Sequence, residues 1–285
     1  MTFLDCMAVL RESLPNSEID LPTEPVFRDV NFGDPRFDEP YVRSNRGEFD
    51  TDQSRIEAQT DFVEAALELP EGSTILDAGC GIGTYSHELA RRGHRVVGLD
   101  ISKTFLQMAR ATVDPSDARF IGGSYRCMPF QGGFDAVVQT ASMFCSGASD
   151  LARISLQAKA CLRSGGKFLF DYSNWPLRCR SEASVQTDWS EDLDSFVLRR
   201  SVVSLGDWTQ QAEWYRVSPA ESTVLRCRFS VQLLPPDLSI SAVRSAGFRD
   251  VGLFAKWDFS GRPPDGELRS FNEDTDRGFV LVATA

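Results

Sequence analysis

Three glycines at alternate positions mark the segment of this sequence whose residue types most directly indicate ligand chemistry. Asp77 precedes Gly79, Gly81 and Gly83, and the short apolar segment 74–76 comes just before it. Glycine has no Cβ, so its backbone can turn tightly and pass close to a ligand. Backbone N–H groups at the start of a following helix can then donate to polar ligand atoms. The spacing predicts a ligand-binding loop between a strand and a helix.

A second acidic residue belongs to the same pattern. Asp100 follows Gly83 by 17 positions and ends the apolar segment 95–99. An acid at the end of the second strand of a βαβ unit can accept hydrogen bonds from both hydroxyls of a ribose. The loop and this acid together predict a ligand that contains a ribose.

The elements that must position these residues alternate between strands and helices. Apolar residues at helical or strand spacing predict, in order, helix 56–69, strand 74–76, a helix ending near Arg92 with Gly93 as its stop, strand 95–99, a helix N-capped by Ser102, strands 119–121 and 134–138, helix 150–162 and strand 167–170. Such alternation is typical of βαβ units that form a parallel sheet.

The pattern changes after Trp175. A hairpin is predicted from 196–204 and 210–217, and strictly alternating apolar residues predict a half-buried strand over 225–233. A helix to Ala246 and strands near 251–257 and 278–283 follow. The predicted layout is an irregular N-terminal arm (1–55), an α/β core (56–175), an antiparallel β insertion (176–235) and a C-terminal part that completes the core sheet (236–285).

These motifs resemble those of the class I S-adenosylmethionine (SAM)-dependent methyltransferases. Asp77 and its glycines look like the first motif of that family, and Asp100 looks like its ribose-binding acid. Segment 122–130 is similar to the loop that flanks the adenine, although Ser124 stands where most relatives carry Asp. Segments 134–139 and 162–168 resemble the fourth strand and the entry to the fifth. The resemblance implies a doubly wound, mostly parallel seven-stranded α/β sheet, with the β block inserted after the fifth strand.

The resemblance also implies a cofactor and its binding residues. The cofactor is SAM, its product is S-adenosylhomocysteine (SAH), and no metal is expected. The implied cofactor-binding residues are Asp77, Gly79, Cys80, Gly81, Gly83, Asp100, Ile101, Ser124, Tyr125 and Gln139. A nicotinamide-dinucleotide domain is the competing hypothesis. It expects a glycine at position 84, where this chain has Thr84.

Catalytic candidates lie at the end of the fifth strand, because ligands of open α/β sheets bind outside the carboxyl ends of the strands. They are Asp171, Tyr172 and Asn174, and Asp171 is suited to hold a cationic amine. In the alternative, Asp171 caps a loop and Tyr172 packs in the core. Both histidines, His87 and His94, are expected to be surface or structural residues, so no general base is evident.

Substrate-binding candidates come from four regions of the chain. They are Tyr41, Thr140, Met143, Tyr172, Trp175 and Trp214. The aromatic residues of the insertion either form its core or cover a substrate pocket, as in small-molecule methyltransferases with such an insertion. The N-terminal arm either closes over the cofactor, with Tyr41, Arg43 and Arg46 as lid residues, or is a solvated tail.

Charge and composition disfavour several partners. The net charge is −11, from 30 basic and 41 acidic residues, and basic residues form only short pairs such as Arg91 with Arg92. Nucleic acids and anionic membranes usually require clustered basic residues. Seven cysteines without a CxxC pair, no signal peptide and no long apolar segment predict a cytoplasmic protein with reduced thiols and no metal. It is expected to be a monomer or homodimer.

The function that these observations favour is methyl transfer from SAM to a small molecule, on an amine or hydroxyl such as that of a natural-product intermediate. Two alternatives remain open. One is a protein or RNA methyltransferase, which would share the cofactor core. The other is a non-catalytic SAM-binding regulatory protein.

Overall fold

The computed structural model describes residues 26–31, 34, 36–38, 53–111, 118–140, 145–178, 185–190, 195–204, 206–217, 223–256 and 268–285. Its main elements in chain order are β1 (Val26–Val30), α1 (Gln53–Leu67), β2 (Thr74–Ala78), α2 (Thr84–Arg91), β3 (Arg95–Asp100), α3 (Lys103–Ala111), β4 (Ala118–Gly122), β5 (Phe134–Gln139), α4 (Gly147–Cys161), β6 (Leu162–Ser173), α5 (Trp175–Arg178), β7 (Val185–Ser190), β8 (Ser195–Ser204), β9 (Thr209–Val217), β10 (Thr223–Gln232), α6 (Pro236–Ser245), β11 (Arg249–Ala255) and β12 (Gly278–Thr284).

Seven strands form one sheet in the order β11-β12-β6-β5-β2-β3-β4. Strands β2 to β6 pair in parallel, and β12 is antiparallel to both of its neighbours. The strand order reverses beside β2, which has β3 on one side and β5 on the other. Ligands of doubly wound sheets bind at such a switch point, outside the carboxyl ends of the strands. The predicted mostly parallel seven-stranded α/β fold is confirmed.

Both faces of this sheet are covered by helices, which is why its central strands are apolar at successive positions. Ile75 and Leu169 pack on one face with residues of α1, α2 and α3. Leu76 and Phe168 pack on the other face with residues of α4 and α6. Burial on both faces fixes the strands, and therefore fixes where the loops at their carboxyl ends emerge.

Local sequence signals set the helix boundaries at the site. Gly93 adopts φ 89° after α2, and its N–H donates to the Ala90 carbonyl over 2.9 Å, which ends that helix as predicted. The Ser102 hydroxyl accepts a hydrogen bond from the Phe105 N–H over 3.2 Å. Ser102 is therefore the N-cap that the sequence predicted for α3.

A second, five-stranded sheet has the order β1-β10-β9-β8-β7. The predicted hairpin is present as β8 and β9, and β10 alternates as expected, with Leu225 and Cys227 buried and Arg228 exposed. Strand β1 lies in the N-terminal arm, which the sequence analysis predicted to be irregular, and so it was missed. It pairs in parallel with β10, and all but its last residue are exposed, so it has no apolar alternation to detect. Strand β7 was missed as well.

Candidate functional site

The glycine loop between β2 and α2 has the backbone conformation that its sequence requires. Gly79, Gly81 and Gly83 have φ values of 92°, 56° and 84°, in the left-handed region that favours glycine. A Cβ at Gly81 would meet nothing within 4 Å, so this backbone faces open space. A Cβ at Gly83 would lie 2.9 Å from the Phe120 ring. Gly81 therefore leaves room for a ligand, whereas Gly83 permits close packing beneath the loop.

Asp100 holds this loop at the end of β3. Its Oδ2 accepts a hydrogen bond from the Gly81 N–H over 2.9 Å, and its Oδ1 accepts one from the Ser102 N–H over 2.8 Å. Burial raises the pKa of Asp100, while these backbone hydrogen bonds lower it. Each carboxylate oxygen keeps a second lone pair. Asp100 can therefore order the loop and still accept from two ligand hydroxyls.

Asp77 supplies a second acid beneath the loop. The Ser86 hydroxyl donates to its Oδ2 over 2.6 Å, and its buried Oδ1 has no hydrogen-bond partner among the described residues. Burial raises the pKa of Asp77 to about 6, and the charge of Asp100 adds to this effect. The unpaired acceptor and the acidic surroundings fit a ligand that brings a hydrogen-bond donor and positive charge.

Two residues after the strands add apolar surface to the same edge. Ile101 follows Asp100 and is 59% exposed, which is high for a large apolar side chain. The Tyr125 ring, in the loop after β4, lies 3.5 Å from the position that a Cβ on Gly79 would take. Burial raises the pKa of Tyr125 to about 12, so its hydroxyl stays neutral. These surfaces and the two acids fit the adenosine and the positive charge of SAM.

The other predicted cofactor-binding residues lie around this cradle. Cys80 is partly buried within the glycine loop, and Gln139 is buried at the end of β5, beside β2 in the sheet. The Ser124 hydroxyl accepts from the N–H of Arg126 over 3.2 Å, within a tight turn. The Arg126 side chain stacks over Tyr125 and pairs with Asp150 at 2.6 Å, which fixes this loop on α4.

Strand β6, the fifth strand of the predicted core, places the catalytic candidates Asp171 and Tyr172 on opposite faces of the sheet. Asp171 is buried and forms an ion pair of 2.6 Å with Lys256, just beyond β11. Tyr172 points the other way. Its hydroxyl donates to the Cys145 carbonyl over 3.3 Å, and its ring stacks on Phe170. The structure does not bring Asp171 and Tyr172 together.

Asn174 and Trp175 follow at the end of this strand. The Asn174 side-chain amide donates to the carbonyls of Glu273 and Asp276, each over 2.8 Å. Its backbone N–H donates to the Arg277 carbonyl, so Asn174 secures the loop before β12. Trp175 is partly buried against the core cluster that contains Tyr172.

The five-stranded sheet covers this edge of the core. One of its faces, here called the inner face, packs against Phe105 at the start of α3 and Ile82 of the glycine loop. The inner-face residues of this cluster are Val30, Val197, Ala212, Trp214, Leu225, Cys227 and Phe229. At the other end, the Gln232 N–H donates to the Ser146 hydroxyl before α4 over 3.0 Å. The sheet thus spans from the glycine loop to the start of α4.

Of the remaining substrate-binding candidates, Thr140 is buried directly after β5. Tyr41 and Met143 lie outside the described residues, as do the lid candidates Arg43 and Arg46.

Both histidines make contacts within the fold. His87 packs edge-on against Phe120 with ring centroids 5.2 Å apart, and burial lowers its pKa. His94 is buried, with its Nε2 2.9 Å from Glu64 Oε1.

Sequence reasoning missed a contact between the N-terminal segment and this site. Phe37 and Asp38 are fully buried, and the Ser102 hydroxyl donates to Asp38 Oδ2 over 2.6 Å. The surrounding residues are rich in Pro and Asp and lack periodicity, so no local pattern indicates this contact.

The described residues include neither a membrane-spanning helix nor a cluster of metal ligands. None of their helices has the length and apolarity needed to cross a bilayer. Their His, Cys, Asp and Glu side chains include no group of three or more that could hold a metal ion.

Comparisons with known proteins point to the same region of the chain. Residues 75–166 match the model of a methyltransferase domain family. The cypemycin N-terminal methyltransferase of Streptomyces sp. is 32% identical over 103 residues, which cover 35% of this chain and 42% of that protein. The putative methyltransferase YqeM of Bacillus subtilis is 32% identical over 145 residues, 47% of this chain and 56% of that protein. The chain thus spans about half the length of these curated relatives.

A solved structure extends the likeness of the fold to most of the chain. A SAM-dependent methyltransferase from Clostridium acetobutylicum superposes with a TM-score of 0.64 and 13% identity, covering 87% of this chain and 97% of that one. At this identity the likeness shows the fold alone. The family match identifies residues 75–166 as a methyltransferase domain, and the strand order and the structural likeness show that the chain has the fold of the class I SAM-dependent methyltransferases.

Proposed function

We propose that this chain transfers the methyl group of SAM to an amine or hydroxyl group of a small molecule. The observation that carries the proposal is the apolar cluster on the inner face of the five-stranded sheet, which packs on Ile82 of the glycine loop. A second sheet at this position gives the carboxyl edge of the core a dedicated cover. Small-molecule sites are typically apolar enclosures with a few placed polar groups.

The residues have distinct parts in this proposal. Asp100 and the glycine loop bind and orient the cofactor, Asp77 favours its positive charge, and the five-stranded sheet excludes water above it. SAM brings both the methyl group and its leaving group, so the protein mainly supplies proximity and orientation. A neutral amine needs no further base, whereas a hydroxyl generally does.

The pairing of Asp171 bears on the acceptor. Its carboxylate already has a cationic partner in Lys256, so a substrate amine would have to compete with an ammonium 2.6 Å away. Gln139 and Thr140, buried at the end of β5, are the polar residues beside β2 that we propose for substrate orientation, with Trp214 and Trp175 as apolar lining. Because both histidines make contacts within the fold, an amine acceptor that needs no general base is the favoured case.

The proposed domain layout follows from this division of roles. Segments 56–175 and 236–285 form the cofactor core, and 176–235 covers the substrate. We propose that residues 1–55 contribute to that cover, since β1 extends the five-stranded sheet.

Two observations favour a small acceptor over a macromolecule. The net charge of −11 disfavours polyanionic nucleic acid. The inner face is packed against the core through Phe105 and Ile82 rather than open to a large partner. The name of the cypemycin enzyme, an N-terminal methyltransferase, fits an amine acceptor but does not distinguish a small molecule from a polypeptide.

The proposal can be tested by tritiated-methyl transfer with the full chain. Small amines and hydroxylated compounds are compared with peptides, protein extract and RNA as acceptors. We expect transfer to a small amine, and we expect Trp214→Phe to lower kcat/KM for it while SAH affinity stays unchanged. Val202→Ala, on the exposed outer side of β8, is the matched control. Better transfer to protein or RNA would overturn the small-molecule assignment, and binding without transfer to any acceptor would favour a regulatory protein.

A further inference from the structure

The carboxylate of Asp38 is placed where a charge is costly. Asp38 is fully buried, although this chain has many acidic residues at its surface. A buried carboxylate must be stabilised by hydrogen bonds, because otherwise its desolvation costs several kcal/mol. One such bond is short and comes from the Ser102 hydroxyl at 2.6 Å. An acid at the surface would avoid this desolvation cost, so the burial of Asp38 indicates a role for its hydrogen bond with Ser102.

Ser102 connects Asp38 to the predicted cofactor acid. Its backbone N–H donates to Asp100 Oδ1 over 2.8 Å, and its Oγ accepts from the Phe105 N–H over 3.2 Å. A hydroxyl has one proton and two lone pairs, so donation to Asp38 sets the orientation in which Oγ can cap α3. Asp38 thereby fixes the residue from which Asp100 receives one of its backbone hydrogen bonds.

The adjacent residue ties the same segment to the five-stranded sheet. Phe37 is fully buried in the cluster that contains Phe105 of α3 and Trp214 of the inner face. Residues 37 and 38 therefore contact both the start of α3, beside Asp100, and the apolar cluster of the inner face. A displacement of this pair would disturb both at once.

We infer that Asp38 is a positioning residue of the cofactor site, which acts through Ser102 on Asp100 and slows cofactor release. The inference rests on the proposed function, because it assumes that Asp100 binds the cofactor. Breaking the Asp38–Ser102 hydrogen bond frees the Ser102 hydroxyl to rotate and weakens the cap of α3. The Asp100 carboxylate is then held less firmly, and the Phe37–Asp38 segment separates more easily from α3.

The test is the rate at which SAH leaves the full-length protein, measured by stopped-flow displacement. We expect Asp38→Ala to accelerate release on the order of tenfold, which corresponds to about 1.4 kcal/mol. Asp38→Asn keeps an acceptor oxygen for Ser102 and should release SAH at close to the wild-type rate. Asp29→Ala is the matched control, since Asp29 lies in the same N-terminal segment but pairs with Arg226 and Arg228. It should change the rate less than twofold.

A double-mutant cycle separates positioning from simple loss of stability. Ser102→Ala removes the same hydrogen bond from the other side, so it should also accelerate release, and the double variant should be no faster than Ser102→Ala alone. A purely structural role would lower the unfolding midpoint without changing the release rate. If Asp38→Ala does not fold, wild-type release from Ser102→Ala overturns the inference. So does an additive cycle. Failure of the wild-type protein to bind SAH would instead refute the proposed function.

Discussion

The two halves of the carboxyl edge use their polar residues differently. Around β2 and β3, Asp77 and Asp100 hold the backbone or a neighbouring hydroxyl and still keep acceptor capacity. Around β6, Asp171 is paired with Lys256, and Asn174 donates to two backbone carbonyls of a distant loop. A polar residue at the end of a strand therefore indicates a ligand site only when the fold leaves part of its hydrogen-bonding capacity unused.

The largest effect should come from breaking the glycine loop. Gly83→Val would place a branched side chain at φ 84° and within 3 Å of the Phe120 ring, so we expect loss of SAH binding together with destabilisation of several kcal/mol. Gly81→Ala strains φ but meets no atom, so it should fold and lose affinity mainly through the strained loop. Urea unfolding and calorimetry on both variants check this. Equal stability losses in the two variants would contradict the distinction.

The second-largest effect should come from removing Asp100, the acid that we propose to bind the ribose. Asp100→Ala deletes the two charge-assisted hydrogen bonds that we propose to a ribose, each worth about 1.5–3 kcal/mol, so SAH affinity should fall by roughly a hundredfold or more. Because Asp100 also holds Gly81 and Ser102, some stability should be lost as well. Asp100→Asn, which keeps one acceptor oxygen, should be intermediate. Calorimetry that finds wild-type affinity in Asp100→Ala would show that the residue has been assigned wrongly.

The part of the carboxyl edge around β6 is tested through the ion pair between Asp171 and Lys256. Asp171→Asn leaves Lys256 without its buried partner and should lower the free energy of unfolding by about 3 kcal/mol, near the lower end of the range for buried pairs because Lys256 is partly exposed. A compensating Asp171→Leu/Lys256→Met variant should regain much of that stability. If Asp171→Asn keeps full stability but raises KM for the acceptor, Asp171 binds substrate and the contrast between the two halves fails.

The smallest effect concerns pH and Asp77. Its pKa of about 6 lies above its ordinary value, so the folded protein binds a proton more readily than the unfolded chain. Burial of the ionised carboxylate therefore opposes folding at neutral pH, and this cost is lost as pH falls from about 6 to 4. SAM is cationic and favours the ionised carboxylate. Affinity for SAM should therefore fall by less than tenfold per pH unit below pH 6, and Asp77→Asn should flatten this dependence. The measurement is SAM affinity by calorimetry between pH 5 and 7.5, where a flat wild-type profile would contradict the assignment.

The sequence predicted the strand, the glycine loop and the helix around Asp77 and Asp100 because the signals for them are local. Three glycines in left-handed conformations and an acid at the end of β3 occupy a few neighbouring positions, and each has a backbone reason to be there. The residues at the end of β6 interact with partners that lie far along the chain. Lys256 forms an ion pair with Asp171, and carbonyls of the 273–276 loop accept hydrogen bonds from Asn174. Strand β1 and the Asp38–Ser102 contact were missed for the same reason, since both depend on pairing between distant segments.

Calorimetric titration of the full-length protein with SAH, SAM and NAD tests the central claim most directly. We expect one site per chain that binds SAH and SAM with micromolar or tighter affinity, on the order of −8 kcal/mol, and no heat from NAD. Binding of NAD without SAM or SAH would contradict it.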